Sequence, residues 1–201
     1  MTDLPLTLLQ MQGAPLDPPR LDEACLVLID LQEEYRTGGL PLDRIEAAAA
    51  EAARVLQMAR AADAPIVHVL HEVGPGAPVF DPATRKFQPI EGLEAHDGEP
   101  TITKRLPNAF AGTALDAELR RTGRRELILV GAMTHMCISA TARAALDLGY
   151  RTTVIGDACA TRDLPAPDGT RLKAADVHRT ALAELADAFA IVVPNAAALG
   201  G

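Results

Sequence analysis

Ala24-Cys-Leu-Val-Leu-Ile-Asp30 is the stretch on which the fold of this chain turns: six residues without a charge, then a carboxylate. A strand with one wet face alternates apolar and polar residues. An unbroken apolar run of this length belongs to a strand buried on both faces, which is the habit of parallel sheets covered by helices. The pattern repeats outward from it. Pro65–Leu70, Thr101–Thr103, Glu126–Val130, Arg151–Ile155 and Phe189–Val193 read as further strands. Leu42–Ala62, Thr113–Thr122, Ile138–Leu148 and Asp176–Ala188 read as the helices between them, two of them ending at Gly123 and Gly149. This alternation predicts an α/β domain with helices on both faces of a parallel sheet. Residues 72–98, rich in proline and glycine, read as a long loop, and loops of that length in compact domains usually serve function.

The 201 residues suit one domain, 1–201, with residues 1–20 as an N-terminal extension packed on the domain or on a partner subunit. Hydrophobic residues make up 48% of the chain, which implies a folded core. A net charge of -8 excludes a general nucleic-acid binder, whose footprint is basic. The first residues carry neither the basic start nor the apolar run of a signal peptide. No segment reaches the ~18 uninterrupted apolar residues of a membrane span. Three widely spaced cysteines, Cys25, Cys137 and Cys159, fit neither a disulfide framework nor a zinc site. The expected compartment is the cytoplasm, and no cofactor is expected.

In open parallel sheets, ligands bind beyond the carboxyl ends of the strands, so residues just after each strand carry the chemistry. Asp30 closes the first strand and reads either as a helix N-cap or as a general base. Lys104 closes the third and reads either as a surface lysine or as the cation that holds a carboxylate and a thiolate in their charged forms. After the fourth strand comes Gly131-Ala-Met-Thr-His-Met-Cys137, with a helix beginning at once. A thiol at a helix start meets unpaired N–H groups and the positive end of the dipole, both of which favour thiolate. The alternative, a small buried hydrophobe, suits Cys25 inside its apolar strand better, and Cys159 is read as structural too.

Three segments in order resemble the isochorismatase-like cysteine hydrolase superfamily: Cys25–Gln32 with Asp30, Glu99–Lys104 followed by Asn108-Ala-Phe110, and Gly131–Arg143 with Cys137. Asp157-Ala158 and His178 fit the family's later pattern. The resemblance implies a Rossmann-like three-layer sandwich with a six-stranded sheet in the order 3-2-1-4-5-6, assembled as a homodimer or homotetramer. It implies that Asp30, Lys104 and Cys137 are catalytic. It also implies a cis peptide at Ala132–Met133 and an oxyanion hole made by the N–H groups of Met133 and Cys137. Tyr35, His71, Asn108, Phe110 and His135 are candidate substrate-binding residues. Nicotinamidases of the superfamily carry an Asp-x-His metal motif after the second strand; here that place reads His68-Val-Leu-His71-Glu72. Residues three apart in a strand point to opposite faces, so no metal is expected, nor nicotinamide as substrate. Presence of the cysteine favours hydrolysis of a C–N bond in a small amide, carbamoyl or ureido compound. The alternatives are a vinyl ether hydrolase that uses Asp30 without Cys137, and a non-catalytic binding protein on the same fold.

Overall fold

A computed structural model describes residues 4–199. The first three residues of the expected N-terminal extension and the last two of the expected domain lie outside the described residues. Counting the strands of the main sheet, β1 is Ala24–Ile29, β2 Ile66–His71, β3 Thr101–Lys104, β4 Glu126–Ala132, β5 Arg151–Ala160 and β6 Ile191–Val193. All pair in parallel in the order β3-β2-β1-β4-β5-β6, the order expected. The helices are α1 Leu8–Met11, α2 Ile45–Ala61, α3 Leu115–Thr122, α4 Ser139–Asp147 and α5 Ala174–Ala188. A small antiparallel ribbon, Leu164–Pro165 with Arg171–Leu172, precedes α5 and was not foreseen.

Strand β1 is buried along its whole length, as its run of apolar residues demands. Ala24, Leu26 and Leu28 pack into the core beneath α2, with Ala52, Val55, Leu56, Ile128 and Val130. Cys25, Val27 and Ile29 face the opposite core, with Leu115 and Leu119 of α3, Ala142 of α4 and Leu185 of α5. Each large apolar side chain so buried contributes roughly 1.5–3 kcal/mol relative to exposure.

Differences from the expected bounds have local causes. Helix α2 starts at Ile45 rather than Leu42 because Asp43 donates its N–H to the Thr161 carbonyl (2.9 Å) and Arg44 turns left-handed at φ 56°. Strand β6 starts at Ile191 rather than Phe189 because Phe189 N–H still closes α5 on the Leu185 carbonyl at 2.9 Å. Strand β5 runs on to Ala160, five residues past the expected Ile155, after a register shift against β4 between Leu129 and Gly131. The segment before β1 lies on the domain: Leu8 N–H reaches Asp187 Oδ1 of α5 at 3.0 Å, and Arg151 donates to the carbonyl of Asp17 at 2.6 Å. Residues 72–98 hold only one short helical turn, Arg85–Phe87, yet Phe80, Ile90 and Leu93 sink into the α2 core.

At the β4 shift, Gly131 has φ 136° beside Ile29, and a Cβ there would overlap the Ile29 carbonyl. Only glycine fits that conformation and that approach. Gly131→Ala is expected to destabilise the fold by about 3 kcal/mol or more, read as a lowered denaturation midpoint; wild-type stability would contradict this account of β4.

Candidate active site

Sheet register assembles the site. Ile29 pairs with Val69 and Gly131, and His71 pairs with Lys104, so Asp30, His71, Lys104 and the end of β4 share one carboxyl edge. Asp30 leaves β1 at φ 53°, its N–H on the Val69 carbonyl at 2.8 Å. On edge strand β3, Thr101 and Thr103 are exposed while Ile102 and Lys104 are buried, so the lysine shares the inward face of the isoleucine.

The Lys104 side chain has no access to water. Its Nζ lies 2.6 Å from Asp30 Oδ2, 3.2 Å from Cys137 Sγ and 3.0 Å from His71 Nδ1. Neither Asp30 oxygen receives a well-directed hydrogen bond from the described residues, so we treat the 2.6 Å approach as an ion pair. Cys137 lies within a π-helical turn, Thr134–Ile138, that joins β4 to α4. The helical path therefore begins three residues before the thiol, not after it as the sequence suggested. The Ala132–Met133 peptide is cis.

Burial and charge set the protonation states. Burial raises the Asp30 carboxyl to about 6, against the opposing pull of Lys104. Burial raises the Cys137 thiol to about 12; the Asp30 charge adds to this and Lys104 opposes it. Desolvation and the Asp30 charge thus work against the expected bias towards thiolate, and Lys104 works for it. Cys25 and Cys159 are also buried and raised to about 12, but neither has a cation beside its sulfur comparable to Lys104.

Among the other expected residues, His71 meets this cluster through Lys104, Tyr35 lies near Asp30 and Cys137, and His135 is two residues before the thiol. Tyr35 is buried, with Phe80 edge-on at 5.1 Å; burial and the nearby Asp30 and Cys137 raise its phenol well above 10. His71 packs against the same Phe80 at 5.0 Å. His135 Nδ1 lies 2.6 Å from Thr161 Oγ1. Asn108 and Phe110 have contacts of their own. The Asn108 carboxamide accepts the N–H of Phe110 at 2.9 Å within its own turn, and the Phe110 ring stacks on Tyr150 at 5.9 Å. His68 and His71 serve different partners: His68 Nε2 is 2.8 Å from Glu99, which also takes two hydrogen bonds from Arg60. Among the described residues no group of three or more histidine, cysteine or acidic side chains is placed to hold a metal ion.

Three residues were missed. Gln32 is buried and clamps the His71 backbone from both sides, donating to its carbonyl at 3.1 Å and accepting its N–H at 2.8 Å. Its signal was its place two residues after Asp30. Glu34, also buried, accepts the N–H of Phe80 at 3.1 Å and that of Gly39. Arg162 has a buried Nε without a partner and no carboxylate in ion-pair range among the described residues, and its charge reaches Tyr35 and His135. A cavity of about 190 Å³ beside the cluster is lined by Asp43, Arg44, Asp157, Cys159, Thr161 and His178. Its lining includes none of Asp30, Lys104 and Cys137; the turn that carries Cys137 meets it through Thr134, whose Oγ1 is 2.9 Å from His178 Nδ1, and through His135 on Thr161.

This edge, with its buried ion pair against a thiol, is the kind of site in which an α/β hydrolase does its work. The isochorismatase domain model matches residues 24–197, and the chain belongs to the isochorismatase family of hydrolases. A crystal structure of an isochorismatase from Pseudomonas putida KT2440 superposes with a TM-score of 0.92 at 43% identity, covering 96% of this chain and 99% of the other. A secreted isochorismatase effector of Verticillium dahliae is 39% identical over 92% of this chain and 95% of its own. A streptothricin hydrolase of Streptomyces noursei is 38% identical over 87% and 63% respectively. A maleamate amidohydrolase of Pseudomonas putida is 29% identical over 68% and 72%. Among the described residues no helix is long and apolar enough to cross a membrane.

The buried pair predicts an ordered pattern of stabilities. Asp30→Asn strands the Lys104 ammonium and should cost about 3 kcal/mol or more. Lys104→Met should cost less at low pH, because the abandoned carboxyl can take up a proton, and more as pH rises. The double variant should regain most of the loss, since apolar replacement of a whole buried pair is often neutral or better. Additive losses in thermal unfolding would refute coupling of the two groups.

Proposed function

We propose that this hydrolase cleaves a C–N bond of a small amide, carbamoyl or ureido compound through a thioester on Cys137. The observation that carries the reading is the single buried ammonium of Lys104 touching both Asp30 and Cys137. Asp30, more acidic than the thiol, takes the proton from Cys137 as sulfur attacks the substrate carbonyl. Lys104 balances whichever partner is negative, so the charge of the group does not change during the transfer. The N–H groups of Met133 and Cys137 receive the oxyanion. Asp30 returns the proton to the leaving nitrogen as the C–N bond breaks. Water then attacks the thioester, giving a proton to Asp30; the C–S bond breaks and the proton returns to sulfur. No step calls for a metal. The three cysteines, all free and buried, suit a reducing compartment such as the cytoplasm.

The unpaired guanidinium of Arg162 favours substrates that carry a carboxylate near the scissile amide. Such a substrate is named in one relative, the maleamate amidohydrolase.

Ammonia release from a panel of small amides and ureides tests the chemistry. Asp30→Asn, Lys104→Ala, Cys137→Ser and Cys137→Ala should each lose on the order of 10³-fold or more in turnover, and pairs of changes should add little. Wild-type kcat/KM should fall as pH drops through about 6, where Asp30 gains its proton. Turnover by Cys137→Ala on a vinyl ether, with Asp30→Asn inactive, would favour ether cleavage instead. Activity in all four variants would remove the proposal.

For the carboxylate, Arg162→Leu should raise KM for maleamate by about tenfold or more, the loss of one charge-assisted pair, and leave a neutral amide nearly unchanged. Equal effects on both would show that Arg162 does not recognise the anion.

A further inference from the structure

An ammonium carries three N–H donors in fixed tetrahedral directions and no acceptor. The Lys104 ammonium, shut away from water, directs one N–H at Cys137 Sγ and meets Asp30 Oδ2 in an ion pair. The third neighbour is His71 Nδ1 at 3.0 Å, on the paired residue of the adjacent strand. A lysine donor needs a lone pair opposite it, so Nδ1 is unprotonated and a neutral ring carries its hydrogen on Nε2.

We infer that His71 is a positioning residue: its neutral Nδ1 accepts from the Lys104 ammonium, stops it from rotating, and so keeps one N–H on Cys137 and the charge against Asp30. This rests on the proposed reading of Cys137 as nucleophile, and it gives His71 a task other than touching substrate. The ring is itself over-determined. Gln32 grips its backbone by two hydrogen bonds, and Phe80 supports its face edge-on. Phe80 in turn is held through its N–H by the buried carboxylate of Glu34. Two charged side chains bear on the ring, Lys104 from β3 and Glu72 next in the chain, and Glu72 is occupied by Arg105 at 2.6 Å. Burial and then the ammonium push His71 down to about 4, so the ring stays neutral throughout the range in which Asp30 is ionised. A charged ring would set two cations side by side and remove the acceptor.

The test uses iodoacetamide as the probe and follows the rate of Cys137 alkylation against pH, with the three cysteines separated by peptide mapping. Three variants differ in what they offer Lys104. Phenylalanine keeps the ring and its packing on Phe80 but has no acceptor. Asparagine can place its carbonyl oxygen near the position of Nδ1, whereas glutamine places its own nearer that of Nε2. His71→Phe and His71→Gln should slow alkylation of Cys137 by about tenfold at each pH between 7 and 9, the effect of a one-unit rise in the thiol. His71→Asn should stay within about twofold of wild type. Thermal unfolding checks that each is folded; should His71→Phe fail to fold, the Asn and Gln pair decides alone. Superimposable titrations of wild type and all folded variants, or equal shifts in Asn and Gln, would overturn the role of His71. Failure of the underlying reading looks different: wild-type Cys137 would then react no faster than Cys25 or Cys159.

Discussion

One ammonium with no route to water sets the terms for this end of the molecule. Removing a charge of that size from solvent costs several kcal/mol even after relaxation, and the cost is tolerable only where good partners surround it. Lys104 finds three, from three different strands and loops: Asp30, Cys137 and His71. None of these contacts survives a change of register. Slipping β3 by one residue against β2 would turn Lys104 to the outer face and bring Thr103 inward. The fold and the site are therefore fixed by the same pairing.

Around that charge lies a layer of buried polar side chains that do not touch it but determine where its partners stand. Gln32 spans from the end of β1 to the end of β2 and also donates to the Phe87 carbonyl at 2.8 Å, so it ties the long loop to the sheet. Glu34 does the same for Phe80. At the start of β3, Glu99 gathers Arg60 and His68, and these hydrogen bonds, with Arg60 foremost, hold its carboxyl down at about 2. The loop 72–98 is thus anchored by Phe80, Ile90 and Leu93 in the core and by polar clamps along its length. Its proline and glycine content describes its path rather than any freedom to move.

The sheet was legible because its signal is local. Six apolar residues followed by a carboxylate can hardly be anything but a buried strand with its end at the edge, and the apolar run Leu127–Val130 marks β4 in the same way. Lys104 was legible too, since Thr-Ile-Thr-Lys alternates and the lysine must share the face of Ile102. What escaped depends on contacts far apart in the chain. The π-helical turn around Cys137 looks in sequence like any helix start, because its hydrogen bonds, not its composition, make it so. The extension of β5 depends on the β4 shift at Gly131. Gln32 and Arg162 read as ordinary polar residues until the residues they meet, 39 positions away for Gln32 and His71, are in place. The stacking of Phe110 on Tyr150, 40 positions on, is likewise invisible in sequence.

The protonation of Cys137 is where the local reading of the sequence and the structure part most clearly. A helix start and a nearby lysine argue for thiolate, and each effect is real, but the helix dipole is worth about 0.3–1 kcal/mol in ordinary settings. Taking a thiolate out of water and setting it beside an ionised carboxylate costs more. The same balance makes Asp30 the stronger acid of the two, which favours the proton on sulfur and the negative charge on the carboxylate. Lys104 faces both atoms and is indifferent to which one bears the charge. In the proposed reaction, proton transfer from thiol to carboxylate moves a negative charge along one cation, with no separation of new charge. In that reaction sulfur gains its charge only as it meets an electrophilic carbonyl that takes up the electron pair.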